Sequence, residues 1–391
     1  MIRCRRAAPT PGAPVHPGET RNVRTKLRWV LALAGVTLLL GACGLSDPSQ
    51  STLEGLAGPV AQKQKDLFLG VFWVAVAVFV LVEGGIVLIM IRYRHRKGQE
   101  RMPAQTHGNT RLEIGWTILP TLVLAGVMVP TVGLLWDLAR DPGPDALHVT
   151  VEGHQWWWGF VYTDADMTVD YGDPPGQITV ADVMVIPEDT DIWLTLESKG
   201  GGARDANGVA DFEVIHSFWI PELGGKQDVV PNRENHLLLH GSVPGTYEGN
   251  CAEFCGLQHG RMRARVVVLT ADEWEAWVEH QKQPAAEPAD EAAQRGLDIF
   301  TDGPASGEGA CIACHAIGGI ADDPVAAPNL THFADPTHEC FTGCTWESDD
   351  LDALRAWLRD PDAARLGSKM PNYQLTEEEI DDLVALLTSL E

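Results

Sequence analysis

The first third of the chain alternates between long apolar stretches and polar or basic segments. Residues 67–91 and 114–136 are each long and apolar enough to cross a hydrocarbon core of about 30 Å as a helix. The segment between them, 92–113, is rich in Arg and Lys, which the positive-inside rule assigns to the cytoplasm. The pattern therefore predicts a two-helix transmembrane hairpin, with everything after residue 137 on the exterior face.

An earlier apolar run, residues 26–43, follows a basic flank and ends in small residues, which is typical of a secretory signal peptide. The ending Leu40-Gly41-Ala42-Cys43 resembles a bacterial lipobox, in which Cys43 would be lipidated and become the first mature residue. An ordinary signal peptide or an uncleaved anchor is the alternative. We assign residues 1–42 to a lipoprotein signal peptide and 43–137 to the N-terminal segment and the hairpin.

The exterior part changes pattern twice. Short β-rich runs separated by Pro, Gly and Asn turns fill residues 138–279, which predicts an all-β sandwich or barrel. Residues 280–291 are rich in Pro, Ala and Glu and are typical of a linker. Residues 292–391 hold amphipathic helical patterns, the last opened by a Thr376-x-x-Glu379 capping box. The fold class is thus a multidomain membrane protein with a β domain followed by an all-α domain.

Charge narrows the choice of partners. The formal net charge is −25, and residues 1–42 alone carry +6, so their removal would leave −31 on the remainder. This charge argues against nucleic acid as a partner and favours a basic protein. The later cysteines occur as close pairs, which indicates metal ligation or cofactor attachment rather than a loop-closing disulfide framework. They are Cys251/Cys255, Cys311/Cys314 and Cys340/Cys344.

One loop of the β region gathers soft metal ligands. It offers Cys251, Cys255, His259 and Met262, and His216 lies upstream. Sulfur ligands with imidazole suit copper, and two thiolates can bridge two ions that each bind one histidine. A structural Cys2His2 zinc site or a disulfide is the alternative, although zinc would leave Met262 without a role.

This loop resembles the CuA loop of cytochrome c oxidase subunit II, which implies a cupredoxin-like barrel. The resemblance implies side-chain ligation by His216, Cys251, Cys255, His259 and Met262, completed by the backbone carbonyl of Glu253. It also implies that the Glu253 side chain reaches a magnesium or manganese ion shared with subunit I.

The run Gly153-His154-Gln155-Trp156-Trp157-Trp158 resembles the family's aromatic patch near the copper. By that match, Trp156 is an exposed ring through which electrons enter from a docked cytochrome. Glu213 takes the position of an acidic docking residue, with an ordinary solvated glutamate as the alternative. Glu113 takes the position of the mouth of a proton-uptake path into subunit I, with a plain interfacial carboxylate as the alternative. We assign Glu83, inside the first span, to packing against a neighbouring subunit.

The second motif is Cys311-Ile312-Ala313-Cys314-His315, the attachment sequence for a c-type haem. Cys311 and Cys314 would form thioethers with the haem vinyl groups, and His315 would ligate the iron. A redox dithiol is the alternative. The segment Gly367-Ser368-Lys369-Met370-Pro371 matches the loop that presents the sixth ligand in small cytochromes c, which makes Met370 the distal ligand. For Cys340 and Cys344 we predict a disulfide, with a metal site that includes His338 as the alternative.

Together the motifs resemble subunit II of a caa-type oxidase, in which a cytochrome c domain is fused behind the CuA domain. The resemblance implies electron transport from cytochrome c, or from a quinol–cytochrome c reductase, to subunit I, where dioxygen is reduced to water. It implies partners in subunit I, subunit III and membrane lipid, and a place in the bacterial cytoplasmic membrane. A nitric oxide reductase subunit and a free-standing membrane-tethered electron carrier are the alternative functions.

Overall fold

A computed structural model describes residues 53–94, 105, 107–171, 176–200, 213–320 and 327–391, together with Gly35. The predicted lipidation site, Cys43, lies outside the described residues, as does the predicted signal peptide apart from Gly35.

The two predicted membrane spans form helices α1, Pro59–Arg92, and α2, Thr110–Leu138. Both are long and apolar enough to cross a membrane, and their large apolar side chains are mostly exposed. Each helix begins before its apolar stretch, because residues that favour a helix N-terminus stand there. α1 has a proline in its first turn, and the Asn109 side chain accepts the first free N–H groups of α2. Lys63 and Asp137 form an ion pair of 2.6 Å that joins the two helices near their exterior ends.

The segment after α2 folds as the predicted β structure. Its strands are β1 Leu147–His154, β2 Trp157–Tyr162, β3 Thr179–Ala181, β4 Val183–Pro187, β5 Thr190–Ser198, β6 His216–Trp219, β7 Lys226–Val229, β8 Asn235–Gly241, β9 Gly245–Asn250 and β10 Arg263–Leu269. One sheet has the order β3-β2-β1-β5-β8, a second has the order β4-β10-β9, and β6 pairs with β7. Helix α3, Ala271–Gln281, follows β10. We call residues 147–281 the β domain.

The core of the β domain follows from the two-residue period of its strands. In β1 the buried and partly exposed positions alternate, so that Val149 and Val151 point inward. They join Trp158, Phe160 and Leu194 in one buried apolar cluster. The ligand loop contributes to the same cluster, because Cys251, Cys255 and Met262 belong to it. The site therefore sits on a packed, rigid support.

The third region is helical, as predicted. It contains α4 Glu291–Asp302, α5 Leu351–Arg359, α6 Pro361–Ala364 and α7 Glu377–Leu387, and we call residues 291–391 the C-terminal domain. Thr376 and Glu379 form the predicted capping box of α7. At Gly296 an added Cβ would lie 2.2 Å from the carbonyl oxygen of Asp382, so a glycine is required where α4 crosses α7.

A two-stranded hairpin of the C-terminal domain reaches into the β domain. It consists of β11, Cys340–Phe341, and β12, Trp346–Glu347, and we call residues 340–347 the docking hairpin. Cys340 and Cys344 form a disulfide, and both side chains belong to the core cluster of the β domain. At the hairpin turn, the N–H of Gly343 donates to the carboxylate of Asp182 at 2.7 Å, and its carbonyl accepts from the N–H of Arg263 at 3.0 Å.

An ion pair and a further hydrogen bond between the two domains lie beside the docking hairpin. The guanidinium of Arg265, on β10, donates to both carboxylate oxygens of Glu347 at 2.6 and 2.7 Å. The hydroxyl of Thr246 donates to Glu339 at 2.8 Å. The two domains are therefore packed together by buried apolar, polar and charged contacts rather than joined only by residues 282–290.

Candidate copper and haem sites

The ligands proposed for copper come from three neighbouring segments. His216 opens β6, Cys251 follows β9, and Met262 precedes β10. Backbone hydrogen bonds close the loop between the last two, since the N–H of Cys251 donates to the carbonyl of Met262 at 2.9 Å. The N–H of Ala252 donates to the carbonyl of Ser217 at 2.9 Å, which fixes the loop beside His216. We call residues 251–262 the copper loop.

The donor atoms of the proposed copper ligands lie close together. The sulfurs of Cys251 and Cys255 are 3.8 Å apart. The sulfur of Cys251 lies 4.0 Å from Nδ1 of His216 and 3.2 Å from the carbonyl oxygen of Glu253. The sulfur of Cys255 lies 3.8 Å from Nδ1 of His259 and 3.8 Å from the sulfur of Met262.

These separations fit a pair of metal ions bridged by two thiolates. Sulfurs that each lie about 2.3 Å from a shared ion can be up to roughly 4.6 Å apart, and the observed 3.8 Å is within that limit. Each sulfur has one imidazole and one weaker donor beside it, which divides six donors evenly between two ions. A closed zinc site takes four ligands and would leave two donors unused. The sulfurs are free thiols, so this pair is not a disulfide.

The surrounding residues make room for His216 and favour the thiolate form of Cys251. His216 is fully buried, and an added Cβ at Gly153 would lie 3.0 Å from its ring, so the glycine makes room for the imidazole. The hydrogen bond with Cys255 lowers the pKa of Cys251 well below its usual value, because it stabilises one thiolate of the pair. A thiolate is the form that binds a metal ion.

The ligands proposed for haem line one largely apolar cavity of the C-terminal domain. Cys311, Cys314, His315 and Met370 all face it. Its remaining walls include the core side chains Phe300, Leu354, Leu358, Leu383 and Leu387. Two thiols, an imidazole and a thioether around one apolar cavity fit a covalently attached haem with His and Met as its axial ligands.

The imidazole of His315 is oriented by its surroundings. Its Nδ1 lies 2.8 Å from the carbonyl oxygen of Pro328, so Nδ1 carries the proton and Nε2 is free to bind iron. Burial lowers the pKa of His315, which keeps the ring neutral and able to bind the iron. His338 also lines the cavity, and its Nδ1 likewise bonds a backbone carbonyl, that of Phe333, at 2.8 Å. His315 differs from it in directly following Cys314 in the attachment sequence.

The haem cavity continues to the β domain. Gln155, Trp156, Trp157, Asp182 and Gln258 also line it. Sequence reasoning expected an exposed ring at Trp156, and this expectation is wrong: Trp156 is only 7% exposed. The C-terminal domain covers it: Gly367 lies so near that an added Cβ would be 3.6 Å from Cη2 of Trp156, and the ammonium of Lys369 lies 5.9 Å from the ring centre.

Trp156 also contacts the copper loop. Its indole N–H donates to the carbonyl of Cys255 at 3.0 Å, and the Gln155 side chain donates to the same oxygen at 2.7 Å. Gly256 lies against the indole with a φ of +120°, where an added Cβ would be 3.0 Å from Cζ2 of Trp156. The position therefore requires glycine for both its backbone conformation and its lack of a side chain.

Three glutamates singled out from the sequence lie away from both the copper ligands and the haem ligands. Glu113 lies exposed in the first turn of α2, and Glu83 lies exposed within α1. Glu213 is exposed just before β6. Sequence reasoning missed Asp182, Gln258 and Arg365, since each acts across the contact between domains. Gln258 lies within the copper loop, but its side chain bonds the carbonyl of Leu366 in the C-terminal domain.

Family comparisons agree with these sites. Residues 46–134 match the transmembrane domain of cytochrome c oxidase subunit II, residues 147–270 match its periplasmic domain, and residues 293–391 match cytochrome c. The chain is similar to "Cytochrome c oxidase subunit 2" of Alkalihalophilus pseudofirmus, with 34% identity over 92% of this chain and 96% of that protein. It is also similar to the protein of the same name from Bacillus subtilis, with 31% identity over 93% of this chain and 97% of that protein.

These matches cover the two helices, the β domain and the C-terminal domain, so the predicted fold class is confirmed. They imply CuA copper and haem c as cofactors, a membrane protein and association with subunit I. The chain belongs to the cytochrome c oxidase subunit II family, in its form with a fused C-terminal cytochrome c domain.

Proposed function

We propose that this chain receives electrons from an external cytochrome at its C-terminal domain and delivers them to subunit I through the copper loop. When bound, haem c and the copper pair each accept and release single electrons. The observation that carries the proposal is the position of Trp156, which lines the haem cavity and donates a hydrogen bond to the carbonyl of Cys255. One side chain thus contacts the surroundings of both proposed cofactors.

In this proposal, Cys311 and Cys314 attach the haem, and His315 and Met370 ligate its iron. His216, Cys251, Glu253, Cys255, His259 and Met262 hold the two copper ions. The packed support under the copper loop keeps ligand movement small, because Cys251, Cys255 and Met262 are all buried in the β-domain core. A site that moves little is suited to rapid electron transfer.

Burial of Trp156 changes the point at which a donor docks. An external cytochrome cannot reach this ring while the C-terminal domain covers it. The donor, a cytochrome c or a quinol–cytochrome c reductase, therefore docks on the C-terminal domain. That domain is strongly acidic, which favours a basic donor.

Several residues and segments would contact subunit I or the membrane. The side chain of Glu253 would reach a magnesium or manganese ion at the boundary with subunit I, and Glu113 would stand at the mouth of a proton-uptake path. Subunit III and lipid would surround α1 and α2 in the bacterial cytoplasmic membrane. Cys43 would anchor the N-terminus after removal of residues 1–42.

The proposal is tested on the full chain purified from membranes in detergent. We expect co-purification with subunit I, a c-type haem absorption band and the multi-line EPR signal of a mixed-valence copper pair. Oxygen consumption with reduced cytochrome c should be lost in Cys251→Ser and Cys255→Ser, while the haem band remains. A chain that purifies alone would support a free carrier, turnover of nitric oxide alone would support a reductase, and bound zinc would overturn the copper assignment.

A further inference from the structure

Arg365 is a buried cation at the contact between the two domains. It follows α6 in the C-terminal domain, lines the haem cavity and is 3% exposed. An uncompensated buried guanidinium is costly, so a buried arginine normally has hydrogen-bond acceptors and an opposite charge beside it.

Its terminal nitrogens bond only backbone carbonyls. Nη1 donates to the carbonyl of Thr342, and Nη2 donates to the carbonyls of Trp156 at 3.3 Å and Arg261 at 3.2 Å. The Nε–H is buried and has no hydrogen-bond partner among the residues that the structure describes. All three of these hydrogen bonds are accepted by carbonyl oxygens, and Nε is the one nitrogen of the guanidinium that has no acceptor among the described residues.

No carboxylate of the described chain forms an ion pair with Arg365. The acid that acts on it electrostatically is Asp182, whose oxygens accept the N–H groups of Trp158 at 3.1 Å and Gly343 at 2.7 Å instead. Burial lowers the pKa of Arg365 to about 10, as expected for a guanidinium whose charge is poorly compensated. Among the described residues, Arg365 thus faces the cavity without a carboxylate paired to it.

We propose that Arg365 binds a haem propionate, with its free Nε–H donating to a propionate oxygen. The inference rests on the proposed attachment of haem in this cavity. A haem brings carboxylates on short flexible arms, and a guanidinium is the cation best suited to hold a carboxylate in a fixed orientation. The propionate would give Nε an acceptor and place a negative charge beside the guanidinium.

The same guanidinium would then connect the haem to the β domain. Its Nη2 bonds the carbonyl of Trp156, whose indole bonds the carbonyl of Cys255. Arg365 is thus a positioning residue that orients the haem edge relative to Trp156. Lys369, the other cation noted at this wall of the cavity, lies over the Trp156 ring instead and offers a matched control.

The test uses the full chain with haem carrying carbon-13 in its propionate carboxyl groups, observed by redox-induced infrared difference spectroscopy. In R365Q we expect a label-sensitive band of a protonated propionate at about pH 6. At higher pH, where the propionate is ionised, we expect a lower haem reduction potential than in the wild type, because the buried positive charge that favours the reduced haem is gone. In K369Q and D182N we expect no protonated propionate band, because Arg365 is retained.

R365K provides a second comparison, including the case in which R365Q does not retain haem. It keeps the charge but loses the fork, so we expect a potential close to that of the wild type with a shifted label-sensitive carboxylate band. Unchanged propionate bands in R365Q or R365K would overturn the inference. Absence of covalent haem in the wild type would overturn the proposed function instead, which separates the two failures.

Discussion

The indole N–H of Trp156 and the backbone carbonyl of Cys255 are joined by a hydrogen bond of 3.0 Å. Trp156 also lines the haem cavity, so this bond connects the wall of one proposed cofactor site to a ligand residue of the other. Because the C-terminal domain covers the ring, this connection lies inside a single chain.

Trp156→Phe keeps an aromatic ring but removes the N–H donor. We expect slower electron transfer between haem and copper and a loss of about 1 kcal/mol in the free energy of unfolding. Rapid mixing with reduced cytochrome c, followed at the haem and copper absorption bands, measures the rate. Trp157→Phe is the control, because Trp157 lines the same cavity but stacks on His154. Equal rates in the two variants would contradict this role for Trp156.

Glu347→Gln tests the ion pair that joins the docking hairpin to Arg265. This partly exposed ion pair has two hydrogen bonds, so its removal should lower the free energy of unfolding by about 1 kcal/mol. It should also loosen the contact between the domains. We expect faster protease cleavage within residues 282–290. Glu377→Gln breaks a similar pair with Arg359 inside the C-terminal domain and should not increase that cleavage. Cleavage that rises equally in both variants would argue against a specific docking contact.

Replacing both Cys340 and Cys344 by Ser should destabilise the docking hairpin. A disulfide that closes so short a loop contributes about 2 kcal/mol in the chain-entropy estimate. Two hydroxyls would also enter the apolar core cluster of the β domain. We expect a lower unfolding temperature by calorimetry and weaker haem-to-copper transfer, both also seen on mild reduction of the wild type. If the double variant matched the wild type in both measurements, the hairpin would not hold the domains together.

Asp182 predicts a pH dependence of stability. Burial raises its pKa from 3.8 to about 6, so the folded protein binds this proton more tightly than the unfolded chain does. The stability contributed by the protonated form is therefore lost as pH rises from about 4 to about 6, by up to about 3 kcal/mol.

Asp182→Asn is the comparison, because the neutral amide keeps an acceptor oxygen and does not titrate. Denaturant unfolding at several pH values should show a smaller decline over this interval in the variant than in the wild type. Parallel curves for the two proteins would show that another group causes the decline.

Removing copper should lower the stability of the β domain. Ions that bind only the folded chain stabilise it by about 4 kcal/mol when their concentration is a thousand times the dissociation constant. Chelation should lower the unfolding temperature, and added copper should restore it. Cys255→Ser should respond little to either treatment, since it lacks a bridging sulfur. A chelator effect of equal size in that variant would point to binding elsewhere.

The sequence predicted what depends on short segments. The apolar stretches indicate the two helices, and the spacing of Cys251, Cys255, His259 and Met262 places the donors on one loop. The burial of Trp156 was not predictable, because the residues that lie over it, Arg365 to Lys369, follow it by more than two hundred positions. Arg365 and Asp182 have no periodic or local signature either. Their roles arise only where the docking hairpin meets the β domain.

The docking hairpin sets how electron delivery responds to the solution around the enzyme. A cytochrome that diffuses to its acceptor arrives at a rate that depends on its concentration and on salt, which screens exposed charges. A donor domain seated through buried contacts has a fixed stoichiometry of one and is already in place before each turnover. Salt should therefore slow only the first, intermolecular encounter, whereas the internal step should proceed at the same rate in dilute and concentrated buffer.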